Sequence, residues 1–501
     1  MFRRLKSDRD GYITDKVIRN NRVTDANTGQ AGTLDLFKLY NESSISGETG
    51  SINEISRILI HFNFDPLREL TGSVFDVGDS SFRAILKLHD VYGGQTVPSN
   101  FNIAVFPLSK SFEEGSGFDI GSFRDLDAAN FLTASQNVTW SQEGAAASGT
   151  LGDDVDIIET ANLGNGLVSL VGSQFFSTGE EDLSIDITNI VSATLAGILP
   201  DYGLRISFSG TQETDQKSRF IKRFTSRHSN DPSFRPSIQV TFDDTIQDDH
   251  RCFFFDLTGT LFLQNYHLGQ PANIIHNGTE ITGSESIIVR LLSGSGSTFF
   301  EKVITGSQYQ IGNNFQTGTY FATFAVATNE TGSILNEVRL ANSATFAEVW
   351  GSLDATQGFL TGTLEINAVP RTAFNLLPSR TYVNVRQNKG VYKSTEKARF
   401  HVFVQDSLER IKASKLPLEK KSTLFKEMFY QIRDSNSNSI IIPFHNPGTK
   451  LSVNDNGMHF DLFMSDLYIG RSYGIEVKYV DRGIEKILGL NEVGAVFRVE
   501  V

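Results

Sequence analysis

Residues 220–244 read Phe-Ile-Lys-Arg-Phe-Thr-Ser-Arg-His-Ser-Asn-Asp-Pro-Ser-Phe-Arg-Pro-Ser-Ile-Gln-Val-Thr-Phe-Asp-Asp. A basic, polar approach strand comes first, and a loop broken by Pro232 and Pro236 follows it. The segment then ends in Ser237–Phe242, where residues alternate between outward and inward positions as on a pleated strand. This closing strand finishes a first domain, and the acids Asp243, Asp244, Asp248 and Asp249 mark the seam behind it.

Upstream of the segment, short alternating runs are separated by Gly, Asn and Pro: residues 34–40, 56–64, 82–88, 102–106 and 183–187. Many short strands with turn chemistry between them point to an antiparallel sandwich of the jelly-roll kind. Two pieces have helical character. Residues 65–70 carry Asp65 at a cap and Pro66 at the first position, and residues 187–197 place apolar side chains at helical spacing before Gly197. Downstream, residues 287–292, 319–326 and 362–366 alternate again, as do residues 381–385, 399–404, 428–433, 458–463 and 473–479, the fourth entered from a turn at Asn454–Gly457. The expected fold class is mainly β: an N-terminal jelly-roll-like β-sandwich over residues 9–246, then two smaller immunoglobulin-like β-sandwiches over 250–370 and 371–501.

The bulk numbers agree with this division. A chain of 501 residues is long enough for about three domains with separate cores. Its 43 Gly and 39 Phe against 4 Met and 2 Trp suit pleated, half-buried faces joined by turns. A net charge of −13 disfavours general attraction to nucleic-acid phosphates. The single cysteine, Cys252, cannot form an internal disulfide and sits in the apolar run Cys252–Phe255, where a packing role is expected. No apolar run of about 18 residues is present, and the first sixteen residues show no signal-peptide pattern, so a product that is cytoplasmic when made and has no membrane association is expected. Residues 1–8 form a basic arm; Arg3, Arg4, Lys6 and Arg9 are read either as a solvated tail or as a segment that docks in an acidic groove of a partner.

Chemistry-bearing motifs are sparse. No HExxH pair, GxSxG elbow or P-loop occurs, so no catalytic or cofactor-binding residue is assigned and no enzyme is expected. His228 reads as a surface or packing residue of the closing loop. Asp153, Asp154 and Asp156 are hard oxygen ligands close enough in sequence to share a Ca²⁺, or they form a solvated acidic loop. The acids at 180–182 and 243–249 read as solvated linkers. Trp140 and Trp350 are the aromatic rings on which a sugar could stack, Trp140 being the glycan candidate, or they are core residues of strands.

Asp10–Ile13, Gly29–Leu34, Ile58–Phe62, Trp140, Gly152–Asp153, Ile185–Thr188, Asp201–Leu204, Phe224–Arg227 and Arg235–Val240 occur in an order that resembles the DNRLRE-type, carbohydrate-binding-module-like domain, over about residues 9–243. The whole chain, through Thr24–Tyr40, Leu199–Asp215 and Gly457–Leu462, is similar to virion structural proteins of tailed phages, above all marine T-even-like myophages. That resemblance implies a non-enzymatic particle component, present in many copies in a symmetric assembly. It would dock on and bridge other virion proteins of the neck, collar, tail, baseplate surroundings or capsid surface. The carbohydrate-binding likeness implies an alternative, a glycan- or receptor-binding adhesin on the virion.

Overall fold

The computed structural model describes residues 1–45, 50–91, 97–164, 166–369, 381–406, 422–481 and 483–501. Strands account for 48% of the chain and helices for 8%, so the mainly β expectation is met. The chain divides into two units, one of residues 2–71 and 77–242, the other of residue 1, residues 72–76 and residues 243–501.

The first unit is an antiparallel sandwich knitted by one long strand, Phe2–Thr14. Its first half, Phe2–Lys6, pairs with Ser237–Thr241; its second half, Ser7–Thr14, pairs with Asn53–Phe62. A register shift between Ser7 and Arg9 lets the strand change neighbours, which is how a bulge turns a corner in a sandwich. One arm then runs outward through Arg83–Leu88 to Leu183–Asp186, and the other through Leu204–Phe208 and Phe101–Pro107 to Gly172–Phe176. Thr33–Tyr40 and Arg219–Thr225 join through the end of Asn53–Phe62. The basic arm expected at residues 1–8 is therefore corrected: it is a central strand. Phe2 and Leu5 are buried, and so are Arg3 and Arg4, whose aliphatic stems can line apolar surface.

The closing strand Ser237–Thr241 lies between Phe2–Lys6 and Arg83–Leu88. Ile238 and Val240 are fully buried, each removal from water contributing about 1.5–3 kcal/mol. The strand thus completes the sandwich, as its alternation predicts. Both expected helices form, as Asp65–Arg68 with Pro66 in its first turn and as Thr188–Leu195.

The second unit contains two sandwiches. Residues 253–367 form a seven-stranded array in the order Phe253–Phe254, Gly358–Asn367, Ser343–Gly351, Ile287–Ser293, Phe300–Ile311, Asn314–Ala325, Thr258–Gln264. Phe300–Ile311 pairs with Ile287–Ser293 along its first half and with Asn314–Ala325 along its second, so it bends from one sheet into the other. Residues 381–500 make two sheets. One has the order Thr381–Arg386, Lys397–Asp406, Gly457–Phe463, Ser452–Asn454; the other runs Val391–Lys393, Val496–Glu500, Ser472–Asp481, Met428–Asp434, Ile440–Ile442, with Ile484–Leu488 on Ser472–Asp481. Rings from the two sheets meet in the core: Tyr430 stacks on Phe460 at 4.1 Å, and Phe400 lies 5.4 Å from Phe497.

Two features make this last sandwich immunoglobulin-like on topology. Its four-strand and five-strand orders reproduce the two sheets of that fold, and Tyr473, at the start of its strand, accepts from the Tyr468 N–H and donates to the Tyr468 carbonyl, both at 2.8 Å. That is the tyrosine corner of immunoglobulin-like domains. The expected hairpin at Asn454–Gly457 is present, with those two residues paired across the turn. The expected start of the third domain at residue 371 lies outside the described residues.

Candidate functional site

The closing segment is dense in cations, and each meets an acid or a carbonyl of its own unit. Arg219 holds Asp215 with two nitrogens at 2.8 and 2.6 Å, and Arg223 holds Asp35 at 2.7 and 2.9 Å. Lys222, fully buried, donates to Asp90 and to the carbonyls of Gly179 and Glu181. Arg235 is bound to the Ser229 carbonyl through two nitrogens at 3.0 and 2.8 Å. In the loop between the strands, Asp231 caps the turn at Pro232 by accepting from Ser233 N–H at 2.9 Å. Ser226 donates to the Ala31 carbonyl at 2.6 Å.

These anchors bring Arg227 and His228 against Asp10, from the long strand, and Glu114, from the loop after Phe101–Pro107. Arg227 grips both carboxylate oxygens of Glu114. Its backbone N–H donates to Asp10 Oδ2 at 2.6 Å, and the Asp10 N–H donates to Glu114 Oε1 at 2.9 Å. His228 Nε2 is 3.1 Å from the Gly29 carbonyl and 3.6 Å from Glu114 Oε1. Gly29 is required by close approach, since a Cβ there would lie 1.9 Å from the Glu114 carbonyl oxygen. Asn27 closes the cluster, donating to the carbonyls of Glu114 and Ala129 at 2.9 Å and accepting from Gly117 N–H at 2.7 Å.

Asp10 is 1% exposed, and its Oδ1 has no hydrogen-bond partner. Burial, reinforced by the neighbouring Glu114 charge, lifts its carboxyl to about 7, against the pull of the Arg227 N–H. Among the described residues, Asp10, Glu114 and His228 are the group whose ligand atoms come within 4.8 Å of one another as a metal set would. Arg227 already spans both Glu114 oxygens, and a divalent cation would face that guanidinium at contact range. The set fits a partly buried ion pair beside a buried, proton-holding carboxyl better than a metal centre.

A second charged knot lies in the same unit. His61 is 2.6 Å from Asp8 and 3.4 Å from Asp201, and Arg68 donates to Asp201 at 2.8 Å. Burial pulls the imidazole down, but hydrogen bonds to Asp201 and Asp8 outweigh it and raise its pKa to about 9. A histidine raised in the folded state contributes stability that is fully present below its unfolded value of 6.5 and is lost as pH climbs through 9. Melting temperature of the first unit is therefore expected to fall between pH 6.5 and 9, and His61→Gln should flatten that slope. An identical slope in the variant would reject the assignment.

The residues expected as sites fall as follows. Trp140 is 5% exposed and its indole N–H donates to the Asn130 carbonyl at 2.9 Å, so it is a core residue with no ring face open for a sugar. Trp350 is fully buried and donates to Glu348. Asp153, Asp154 and Asp156 do not converge. Asp156 is fully buried and accepts from the N–H groups of Ser141, Gln142 and Ala147, with Lys110 at 3.2 Å. Asp154 accepts from Ser141 Oγ, and Asp153 from Thr150 N–H. They organise a loop. Arg9 donates to the Phe112 carbonyl at 2.8 Å, and Arg3, Arg4 and Lys6 lie in the strand described above. The linker acids are not all solvated either: Asp248 and Asp249 are buried, the first on His250 at 2.6 Å and the second on Thr260 N–H at 3.0 Å and Lys426 at 3.1 Å. Cys252 is half-buried, and burial raises its thiol pKa. The Asp10–Glu114–Arg227 cluster carries no sequence signal of its own, because its members come from segments more than 100 residues apart.

No protein-family profile matches the chain, and no curated protein matches it. Among solved structures, the N-terminal four Ig domains of two Dscam1 isoforms align at 9% and 8% identity over 60% of this chain, each with a TM-score of 0.13. The chain spans 58% and 59% of those two. Salmonella alpha-2-macroglobulin reacted with methylamine aligns at 10% identity over 97% of this chain and 30% of its own, with a TM-score of 0.14.

Proposed function

We propose that the chain is a non-enzymatic structural protein of a tailed-phage virion, which docks on and bridges other particle proteins. The observation that carries this reading is the tandem of three β-sandwiches whose charged clusters are consumed internally. The cations of the closing segment hold the protein's own loops. Large apolar side chains also stand outward at hairpins and outer strands: Tyr266, Leu268 and Ile275 in the middle sandwich, Ile484 and Ile487 in the last. Side chains of this kind suit burial against neighbours, and many copies in a symmetric particle would add weak contacts into firm attachment. The sequence resemblance to phage particle proteins supports the same role. Mass spectrometry of purified particles should find the chain at a fixed copy number, and cryo-microscopy should locate it between other proteins. Its absence from washed particles would refute the proposal.

A further inference from the structure

The seven-stranded array of residues 253–367 does not close on itself. Its path ends on Phe253–Phe254 at one side and on Thr258–Gln264 at the other. Phe253–Phe254 pairs with Gly358–Asn367 only at Ile366 and Asn367, so the rest of that ten-residue strand has a neighbour on one side alone, Ser343–Gly351. The ladder fixes where its free backbone groups point. Asn367 turns its carbonyl away from Ser343–Gly351 to accept from the Phe255 N–H, and backbones alternate along an antiparallel pair, so Thr363 and Thr361 turn N–H and C=O the same way. Across the gap, Thr260 accepts from the Asp249 N–H, and its own N–H donates to Asp249 Oδ2. By the same alternation, Phe262 and Gln264 turn their backbone groups away from Asn314–Ala325. Among the described residues, no backbone group pairs with these four residues on the outer side.

A groove of about 690 Å³ is lined by both edges, with Leu360, Thr363 and Glu365 from one and Phe262 and Gln264 from the other. Leu360 stands on the face that carries the fully buried Leu364 and Ile366, opposite Trp350, yet it is 46% exposed. The core face is thus uncovered where the array stops. Natural sheet edges are guarded by Lys, by Pro or by short length; Gly358–Asn367 is long, has neither Lys nor Pro, and carries Glu365 as its one charge. The groove is also acidic. Asp248, Glu348, Glu365 and Asp455 line it against Arg251 and His250, an excess of two carboxylates even with the imidazole charged.

We propose that this groove takes an extended, basic segment of a partner protein, which adds to the outer edge of Gly358–Asn367 as a further strand. Main-chain bonds to Thr361 and Thr363 hold it, an apolar side chain covers Leu360, and a Lys or Arg meets Glu365. The source of the partner rests on the docking role above, whereas the capacity of the edge to take a strand is read on the purified chain alone. A displayed library of random ten-residue peptides, selected on the full chain, tests it. Selected peptides should alternate β-branched residues with Lys or Arg and should slow amide exchange at Thr361 and Thr363. Thr363→Pro removes an N–H that no ladder bond uses, so the melting temperature should hold while peptide affinity falls at least tenfold. Should that variant fold poorly, Glu365→Lys, at an exposed position, should weaken the same peptides at least threefold. No selected peptide, or peptides indifferent to the variants, would overturn the strand site and leave the particle role standing. Peptides that bind as expected to a chain missing from particles would uphold the strand site and remove the role. Slow exchange at Thr361 and Thr363 before any peptide is added, or a dimer of the chain that Thr363→Pro dissolves, would assign the edge to the chain itself and overturn the partner.

Discussion

Replacing Arg227 by methionine is expected to destabilise the first unit by about 1–3 kcal/mol, the cost of losing the bidentate partner of a carboxylate in a partly buried ion pair, 30% exposed at Arg227. Methionine keeps much of the stem, so the packing change is small and the missing guanidinium dominates. Glu114, 10% exposed in its side chain, would be left with the Asp10 N–H, with His228 Nε2 at 3.6 Å and with a second carboxylate beside it. The loss should depend on pH. Asp10, with its carboxyl lifted to about 7, binds its proton more readily folded than unfolded, so its contribution to stability rises as pH falls from 7 toward 4. Without Arg227 the two acids are less compensated, and the deficit should be larger at pH 8 than at pH 5. Urea denaturation followed by fluorescence reads this directly, because the two tryptophans lie one in each unit, Trp140 in the first and Trp350 in the second. Pairing Arg227→Met with Glu114→Gln should recover at least half of the loss. A deficit under about 1 kcal/mol would mean that the pair is screened like a surface bridge.

The same cluster shows where sequence reading stops. Strands whose faces differ were legible from alternation: residues 237–242, 287–292 and 399–404 lie where the pattern puts them, each within two residues at either end. Phe2–Thr14 was not, because Arg3, Arg4, Lys6, Asp8 and Arg9 hide a central strand under charge that elsewhere marks a solvated tail. Charge in a strand becomes legible only with its partners, and those are tertiary. Asp10 and Arg227 stand in the segments that carry the resemblance, but Glu114, which joins them, sits in a loop with no motif. Alternation also cannot tell which face of a strand meets water, so Trp140 was readable as core or as platform until its indole N–H was seen on Asn130. The Tyr473 corner depends on distances across the fold and leaves no local trace.

The other large effect is expected at Trp350. Its ring is fully buried in the core of the middle sandwich, near the strand end, and truncation to alanine should cost about 3–5 kcal/mol through lost contacts and the cavity left behind. Part of the loss has a polar origin. The indole N–H donates to Glu348, which is 2% exposed in its side chain, and Glu348 is also held by His250 at 3.0 Å. His250 in turn meets Asp248 at 2.6 Å. Burial lowers the imidazole, but the bonds to Asp248 and Glu348 prevail and raise it to about 10, so at neutral pH an imidazolium bridges two carboxylates. Trp350→Phe removes the N–H while filling most of the space, and it should cost about 1–3 kcal/mol, the penalty for an under-satisfied buried group. The difference between the two variants separates cavity from hydrogen bond. In a calorimetric scan of the full chain, the transition of the second unit should move and that of the first should hold. An alanine variant within about 1 kcal/mol of the parent would show that the site collapses around the missing ring, and equal shifts in both transitions would show that the two units melt as one.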